Sequence, residues 1–408
     1  MPSLPTSLRA LRPAALALLA LTLTGCERPA PSPAEAPAVP GAASSPAAPA
    51  SPALSGSSGH TTVSSAPASA AAASVPAIGD REFGAMVTGI SEVGGKFPSD
   101  NYVSNETSYL DVTGDLGKHR GGAYIGVGPE QNFTYLALLE PEVAFVIDIR
   151  RENMLLQLVY KALFEREATR AGFVAGLTSR AVPAGVADDA PVEKVMEAVQ
   201  QAAPDAALEA ALVKAVTARA LALGVPLSSD DERSIREALD AFRKQGPAIH
   251  YTMEKSARHY PSLAALMAQR DDQGQLRSFL GTREAYERVR RMQQENRVVP
   301  LVGDLGGDGA LTRLGAELRK RHLDVHVFYT SNVEQYLFEP RPWAAWVRNL
   351  DALPWDADAV LVRVYFDQGR AHPLQRPGHR TTSMVRPVKS FLDRAHHGGW
   401  RSWWEVAQ

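Results

Sequence analysis

The sequence predicts an α/β domain of Rossmann-like type: a mostly parallel sheet with helices on both faces and a helical insertion. Three observations predict it. From Gly121 to Arg151 the chain reads strand, glycine turn, helix, strand, acid. A second strand–glycine loop–helix–strand unit runs from Val298 to Tyr329. Between them, Val182 to Gly246 is an Ala-rich amphipathic stretch of helical period.

The first unit is the most informative. Ala123, Tyr124 and Ile125 form an apolar run that enters the turn Gly126-Val127-Gly128-Pro129. Pro129 suits the first position of a helix, where a missing N–H costs nothing and φ is preset. Phe133, Leu136, Ala137 and Glu140 share one periodic face, widened by Leu138 and Leu139, and Pro141 stops the helix. Val143 to Ile147 is a continuous apolar run, as a parallel strand buried on both faces requires, and it ends in Asp148.

Each part has a chemical use. Gly126 and Gly128 permit φ values and close approaches that a Cβ would block. The N–H groups opening the helix at Glu130 carry partial positive charge. An acid at the tip of the second strand can accept both hydroxyls of a ribose. The spacing from Gly128 to Asp148 is close to that of the dinucleotide fingerprint. Gln131, however, stands where the third glycine of that fingerprint belongs, and Glu130 would set like charge beside a phosphate. A ligand with a ribose and no phosphate therefore fits better than NAD or FAD. S-adenosylmethionine is such a ligand.

On these residues, Gly121–Arg151 resembles the glycine-rich and acidic-loop region of Rossmann-like S-adenosylmethionine-dependent methyltransferases. A wider resemblance covers most of residues 80–408. On SDNYVSNETSY (Ser99–Tyr109), GVGPEQNFTY (Gly126–Tyr135) and FYTSNVEQYLF (Phe328–Phe338), the chain is similar to a set of bacterial proteins with that type of domain. The resemblance implies S-adenosylmethionine as cofactor, with Gly126 and Gly128 near its methionine moiety and Asp148 on its ribose. Pro129, Gln131, Arg150, Asn105, Glu106 and Asp304 complete the expected cofactor contacts.

The remaining elements follow in chain order. Arg9 and Arg12 precede an apolar stretch, Ala14 to Leu23, too short to span a bilayer as a mature helix. Leu23-Thr24-Gly25-Cys26 resembles a bacterial lipoprotein box, which implies a signal peptide over 1–25 and lipidation of Cys26. Cys26 is the single cysteine, so no disulfide partner competes with that reading. An ordinary signal peptide with an incidental Cys is the alternative. Glu27 is of the kind that follows the lipidated cysteine in outer-membrane lipoproteins, which implies an envelope location facing the periplasm. Residues 26–78 are Ala, Pro and Ser with scattered Gly, and no apolar face offsets the entropy of ordering them, so a disordered tether is expected.

The globular domain is expected over 79–408, beginning with a short helix or extended segment at Asp80–Ile90. The polar stretch Ser91 to Tyr109 reads either as a lid or clamp over the site or as a solvated loop. Arg150 to Phe173 has helical spacing and reads as a return helix. Three helices are expected near 191–202, 205–223 and 229–244, the last opened by Ser228 to Asp231. They form an insertion, about 182–246, that covers the sheet or binds a partner. After the charged helix Arg283–Gln294 come the strand Val298–Val302, a glycine loop Gly303–Gly309, a helix Ala310–Arg321 and the strand Val325–Tyr329. Ala359–Phe366 is a late strand, and Met384–Leu392 is a last strand or helix. Trp400, Trp403 and Trp404 read as core plugs.

Past the strand tip at Tyr329, Asn332 and Glu334 are the candidate catalytic residues. Asn332 can donate to a substrate carbonyl, and Glu334 can act as base or orient an amine; capping of the next helix is the other reading of both. Asp304 and Asp308 lack the further ligands of a calcium loop, so a tight turn is expected there and no metal site. With 43 Lys+Arg against 45 Asp+Glu, the chain gives no general electrostatic reason to bind nucleic acid. No nucleophile elbow or phosphate-binding P-loop occurs.

Two functions are consistent with these residues. One is methyl transfer to a small-molecule or protein acceptor. The other is a non-enzymatic domain of the same fold that binds a small ligand or an envelope partner. Lipidation at Cys26 would place the domain outside the cytoplasm, where S-adenosylmethionine is not expected, and this counts against methyl transfer, which still stands first because no other function has more residues behind it.

Overall fold

The computed structural model describes residues 75–253 and 258–408. The expectations placed on the signal peptide, on Cys26 and on the tether up to residue 74 lie outside the described residues. Among the described residues, no helix is long and apolar enough to cross a membrane.

The sheet has six strands: β1 (Ala123–Val127), β2 (Val143–Asp148), β3 (Val298–Val302), β4 (Val325–Ser331), β5 (Trp355–Phe366) and β6 (Thr381–Pro387). Their order is β3-β2-β1-β4-β5-β6. The first five are parallel, and β6 joins β5 antiparallel. Every residue of β1, β2 and β3 is buried, as the continuous apolar runs require. The order reverses between β1 and β4, and this switch point opens a crevice at the carboxyl ends of the strands.

The helices are α1 (Asp80–Ile90), α2 (Thr113–Leu116), α3 (Gln131–Leu139), α4 (Arg151–Arg166), α5 (Arg170–Leu177), α6 (Val192–Gln201), α7 (Ala206–Ala222) and α8 (Ser229–Gln245). A short 3-10 turn at Gly246–Ala248 precedes α9 (Leu263–Met267), α10 (Arg283–Gln294), α11 (Ala310–Lys320), α12 (Glu334–Leu337), α13 (Pro340–Asp351), α14 (Val388–His396) and α15 (Trp403–Ala407). The chain crosses outward from β1 to β3 and then back through β4 to β5. Right-handed crossovers in opposite directions put helices on opposite faces. Accordingly α3, α4 and α10 pack together, while α1, α11, α13 and α14 make a separate series.

Three local differences from the sequence reading have simple causes. Helix α3 starts at Gln131 with Glu130 as its cap residue, so Pro129 precedes the helix instead of opening it. The return helix is two helices, because Thr169 takes extended backbone and its Oγ1 accepts from Gly172 N at 3.0 Å, starting α5 afresh. Met384–Leu392 divides between β6 and α14, with Pro387 as the cap residue at the junction. Helices α6, α7 and α8 occupy the stretches whose periodicity predicts them. Ser228 and Asp231 close α8 with reciprocal bonds, Asp231 N to Ser228 Oγ at 3.1 Å and Ser228 N to Asp231 Oδ2 at 2.8 Å. Both α7 and α8 pack on α4, so the long β2–β3 crossover extends the core outward.

Residues 91–109 form a strap across the strand tips. Glu92 N donates to Val302 O at 2.9 Å, and Gly95 N donates to Ile149 O at 2.7 Å. Ser104 N reaches Glu130, and Ser108 Oγ bonds Thr381 Oγ1 at 2.7 Å and Ser383 Oγ at 2.9 Å. The strap thus runs from β3 past β2 and β1 to β6. Val103, Ser104, Glu106 and Ser108 are buried, so the second half of the strap belongs to the core, while Val93, Gly94, Lys96 and Pro98 in its first half are exposed.

Candidate functional site

A cavity of about 610 Å³ lies at the carboxyl ends of the parallel strands, walled on one side by the strap. That is the size range of pockets for ligands as large as a nucleoside. Of the residues the sequence singles out, Asn105, Glu106, Gly128, Pro129, Asp148, Arg150, Asp304 and Asn332 line it together. Gly126, Gln131 and Glu334 do not.

Gly128 has φ +88°, a region that favours glycine, and a Cβ there would meet nothing nearer than Asn101 Nδ2 at 3.9 Å. The turn is therefore open toward the cavity. Gly126 has another role. A Cβ on it would lie 1.9 Å from Asn132 Oδ1 and 2.5 Å from the Tyr124 hydroxyl. The close approach it permits is by Asn132, whose Nδ2 donates to Val127 O at 3.1 Å and to Pro129 O at 2.9 Å, lacing the turn.

Asp148 ends β2 but is already engaged. Its Oδ1 accepts from Arg150 N at 2.8 Å and Arg150 Nε at 3.1 Å, and its Oδ2 accepts from Arg150 Nη2 at 2.9 Å. Oδ2 keeps a lone pair for one ligand hydroxyl, where the sequence reading gave the carboxylate to two. Arg150 also donates to Asp100 O at 2.9 Å, tying the strap to the tip of β2. Asp304, at the tip of β3, accepts from Gly306 N at 2.8 Å, a tight turn. The nest of N–H groups in that loop holds Glu92: Asp304 N and Ala310 N donate to its carboxylate at 3.0 and 2.8 Å. Asp308 pairs with Arg348 on the surface. No group of three or more metal-ligating side chains comes together among the described residues.

Glu334 lies outside the cavity. Its Oε2 pairs with Arg363 Nε at 2.5 Å and its Oε1 accepts from Trp346 Nε1 at 3.2 Å, all three side chains being buried. It is the first residue of α12 and makes no cap. This is a core ion pair between α12 and β5, out of reach of a ligand in the cavity.

The cavity floor, at the switch point, is acidic and deeply buried. Gln131 Nε2 donates to Glu106 Oε2 at 3.1 Å and to the Tyr329 hydroxyl at 3.0 Å. The Tyr329 hydroxyl donates to Glu106 Oε2 at 2.7 Å, and Ser331 Oγ donates to Glu106 Oε1. Burial pushes the Glu106 carboxyl up, against the three donors that favour its anion. Burial also pushes Glu130 up to about 7, opposed by its hydrogen bond from Ser104 N. Glu106 thus places a buried acid on the cavity wall, and Glu130, which does not line the cavity, lies behind it.

Glu130 has a consequence for stability. Its folded-state value lies above its ordinary 4.5, so folding favours the protonated form. That contribution is complete below 4.5, declines as pH rises, and is lost through about 7. Relative to Glu130→Gln, the wild type is expected to lose up to ~3 kcal/mol of stability between about pH 4.5 and pH 8. Urea denaturation of both proteins across that range checks it; parallel profiles would refute it.

Several lining residues have no sequence signal. Tyr251, Met253, Arg258 and Tyr260 come from a stretch without periodicity, brought to the cavity where Met253 bridges to Ser99 of the strap. Phe97 and Tyr336 meet edge to face at 5.0 Å and also line the cavity. Gln335 contributes an Oε1 that is buried and has no hydrogen-bond partner. Tyr329 and Ser331 lie in the strand-tip stretch the sequence marks, but their partner Glu106 is more than two hundred positions away.

A Rossmann-like α/β domain with a ligand-sized cleft at its switch point is the class of protein these features define. The chain belongs to the family described as "Domain of unknown function (DUF7790)", whose model matches residues 102–403. No curated protein matches it.

Proposed function

We propose that the cleft binds a nucleoside lacking phosphate, S-adenosylmethionine foremost, and that the protein transfers its methyl group to a small-molecule or protein acceptor. The observation that carries this reading is convergence: Gly128, Asp148 and Asp304, at the ends of three adjacent strands, line one cavity. The residues fit the group. Asp148 Oδ2 offers one acceptor to a ribose hydroxyl, and Ile147, Ile149 and Leu305 give apolar surface for a base. The unpartnered Gln335 Oε1 offers a further acceptor to an amine. The buried Glu106 on the cavity wall disfavours a pyrophosphate ligand.

S-adenosylmethionine, when bound, supplies an electrophilic methyl group. The chain's part is alignment: the glycine turn and Asp148 hold the nucleoside, and Asn332 can orient an acceptor carbonyl. The aromatic residues Phe97, Tyr251, Tyr260 and Tyr336 offer the acceptor an apolar wall. Leu23–Cys26 supports a lipid anchor at the envelope, facing the periplasm, which radioactive palmitate incorporation by wild type and not by Cys26→Ser would test.

Isothermal titration of the full-length protein with S-adenosylhomocysteine tests the site. Saturable heat is expected, and none from well-folded protein would overturn the reading. Binding with no methyl loss from S-adenosylmethionine in any acceptor extract would favour a non-enzymatic ligand-binding domain.

A further inference from the structure

We propose that Ser331 and Glu106 form a proton relay at the cleft floor, and that the acceptor carries a hydroxyl or amine whose proton this relay removes. The acceptor class rests on the methyl-transfer reading; the relay rests on geometry. Both residues line the cavity. Tyr329 and Gln131 hold Glu106 Oε2 at 2.7 and 3.1 Å, and Ser331 Oγ donates to Oε1. Ser331 ends β4 in left-handed backbone, φ +53°, an uncommon conformation for serine and one that concentrates at functional sites. The set lies between β1 and β4, where ligands of open parallel sheets bind.

A hydroxyl can donate and accept at once. With Glu106 ionised, Ser331 donates to it and keeps lone pairs for a ligand. The ligand O–H or N–H gives its proton to Ser331 Oγ while the Ser331 proton passes to Glu106 Oε1. The ligand retains the electron pair of the broken bond, the carboxylate becomes a carboxylic acid, and nothing else is consumed. Glu106 acts through Ser331 and is a positioning residue; Ser331 is the group that touches the acceptor. Burial raises the proton affinity of Glu106, which suits it to accept. The titratable groups facing it are Tyr329 on β4, Tyr124 on β1, and Tyr135 and Glu130 on and beside α3.

The test is labelling of the full-length protein with dicyclohexylcarbodiimide, an apolar reagent that forms adducts with protonated carboxyl groups, read by peptide mass spectrometry. An adduct is expected at Glu106 and not at Glu130, which does not line the cavity, and it should fade as pH rises. The Ser331 hydrogen bond favours the anion, so Ser331→Ala should move the midpoint up. Repeating the series in Glu130→Gln should leave the midpoint's dependence on Ser331 intact. No adduct at Glu106 while exposed carboxyls react, or a midpoint that Ser331→Ala does not move, would overturn the relay. S-adenosylhomocysteine should slow labelling. Failure to do so, with the adduct and its Ser331 dependence intact, supports the relay and overturns the nucleoside reading with its acceptor class.

Discussion

Glu334→Ala is expected to cost about 3–5 kcal/mol of folding free energy, because it leaves a charge without its counter-ion in the core. The Arg363 side chain is 4% exposed and the Glu334 side chain 2%, so water cannot replace the lost partner. Arg363 has little else to turn to. Its Nη1 donates to Val406 O at 2.8 Å, its Nη2 already lacks a partner, and its guanidinium lies 5.2 Å from the centre of the Phe391 ring. Trp346 Nε1 loses its acceptor in the same substitution. Guanidinium denaturation should show a lower midpoint at unchanged slope. The nucleoside affinity of the folded fraction should be unaltered, which separates a core ion pair from a residue of the cleft. Wild-type stability in Glu334→Ala would show that the pair is not what holds α12 to β5.

Asp148→Ala is expected to reduce both stability and binding. It also costs about 3–5 kcal/mol by stranding a buried guanidinium, here Arg150. Unlike the first substitution it reaches the ligand. Arg150 is the clasp that ties Asp100 of the strap to β2, and Asp148 supplies the acceptor proposed for the ribose. Affinity for S-adenosylhomocysteine should fall about tenfold or more, the loss of one charge-assisted hydrogen bond. Asp148→Asn, which keeps the shape, should lose less stability but still bind more weakly. Titration and denaturation of the two variants check this, and unchanged affinity in both would remove Asp148 from the site.

The contrast between Glu106 and Glu334 shows where sequence reading stops. Glu106 and Glu334 both sit in short polar stretches, the first ahead of β1 and the second just past β4, and nothing local says which one faces a ligand. Glu334 enters a four-residue helix whose first position turns inward to Arg363 on β5. Glu106 is carried by the strap to the gap between β1 and β4, where Tyr329 and Ser331 receive it. Those partners are distant in sequence, so no spacing rule could pair them. Gly126 illustrates the same limit on a smaller scale. A glycine two positions before Gly128 signals a close approach, but whether a ligand or Asn132 makes it depends on how α3 packs back on β1.

By itself, the sequence determined the parallel sheet, its two glycine-turn units, the helical crossover between them and the convergence of strand tips on one crevice. Each of these follows from local patterns: continuous apolar runs, helical periodicity, and turns that only certain residues allow. Tertiary structure alone decided which acid faces the crevice, which is sealed in the core, and that the strap forms one wall. Those outcomes depend on side chains meeting across the fold, and the free energy that selects them, burial weighed against a matching donor or counter-ion, exists only once the chain has brought the partners together.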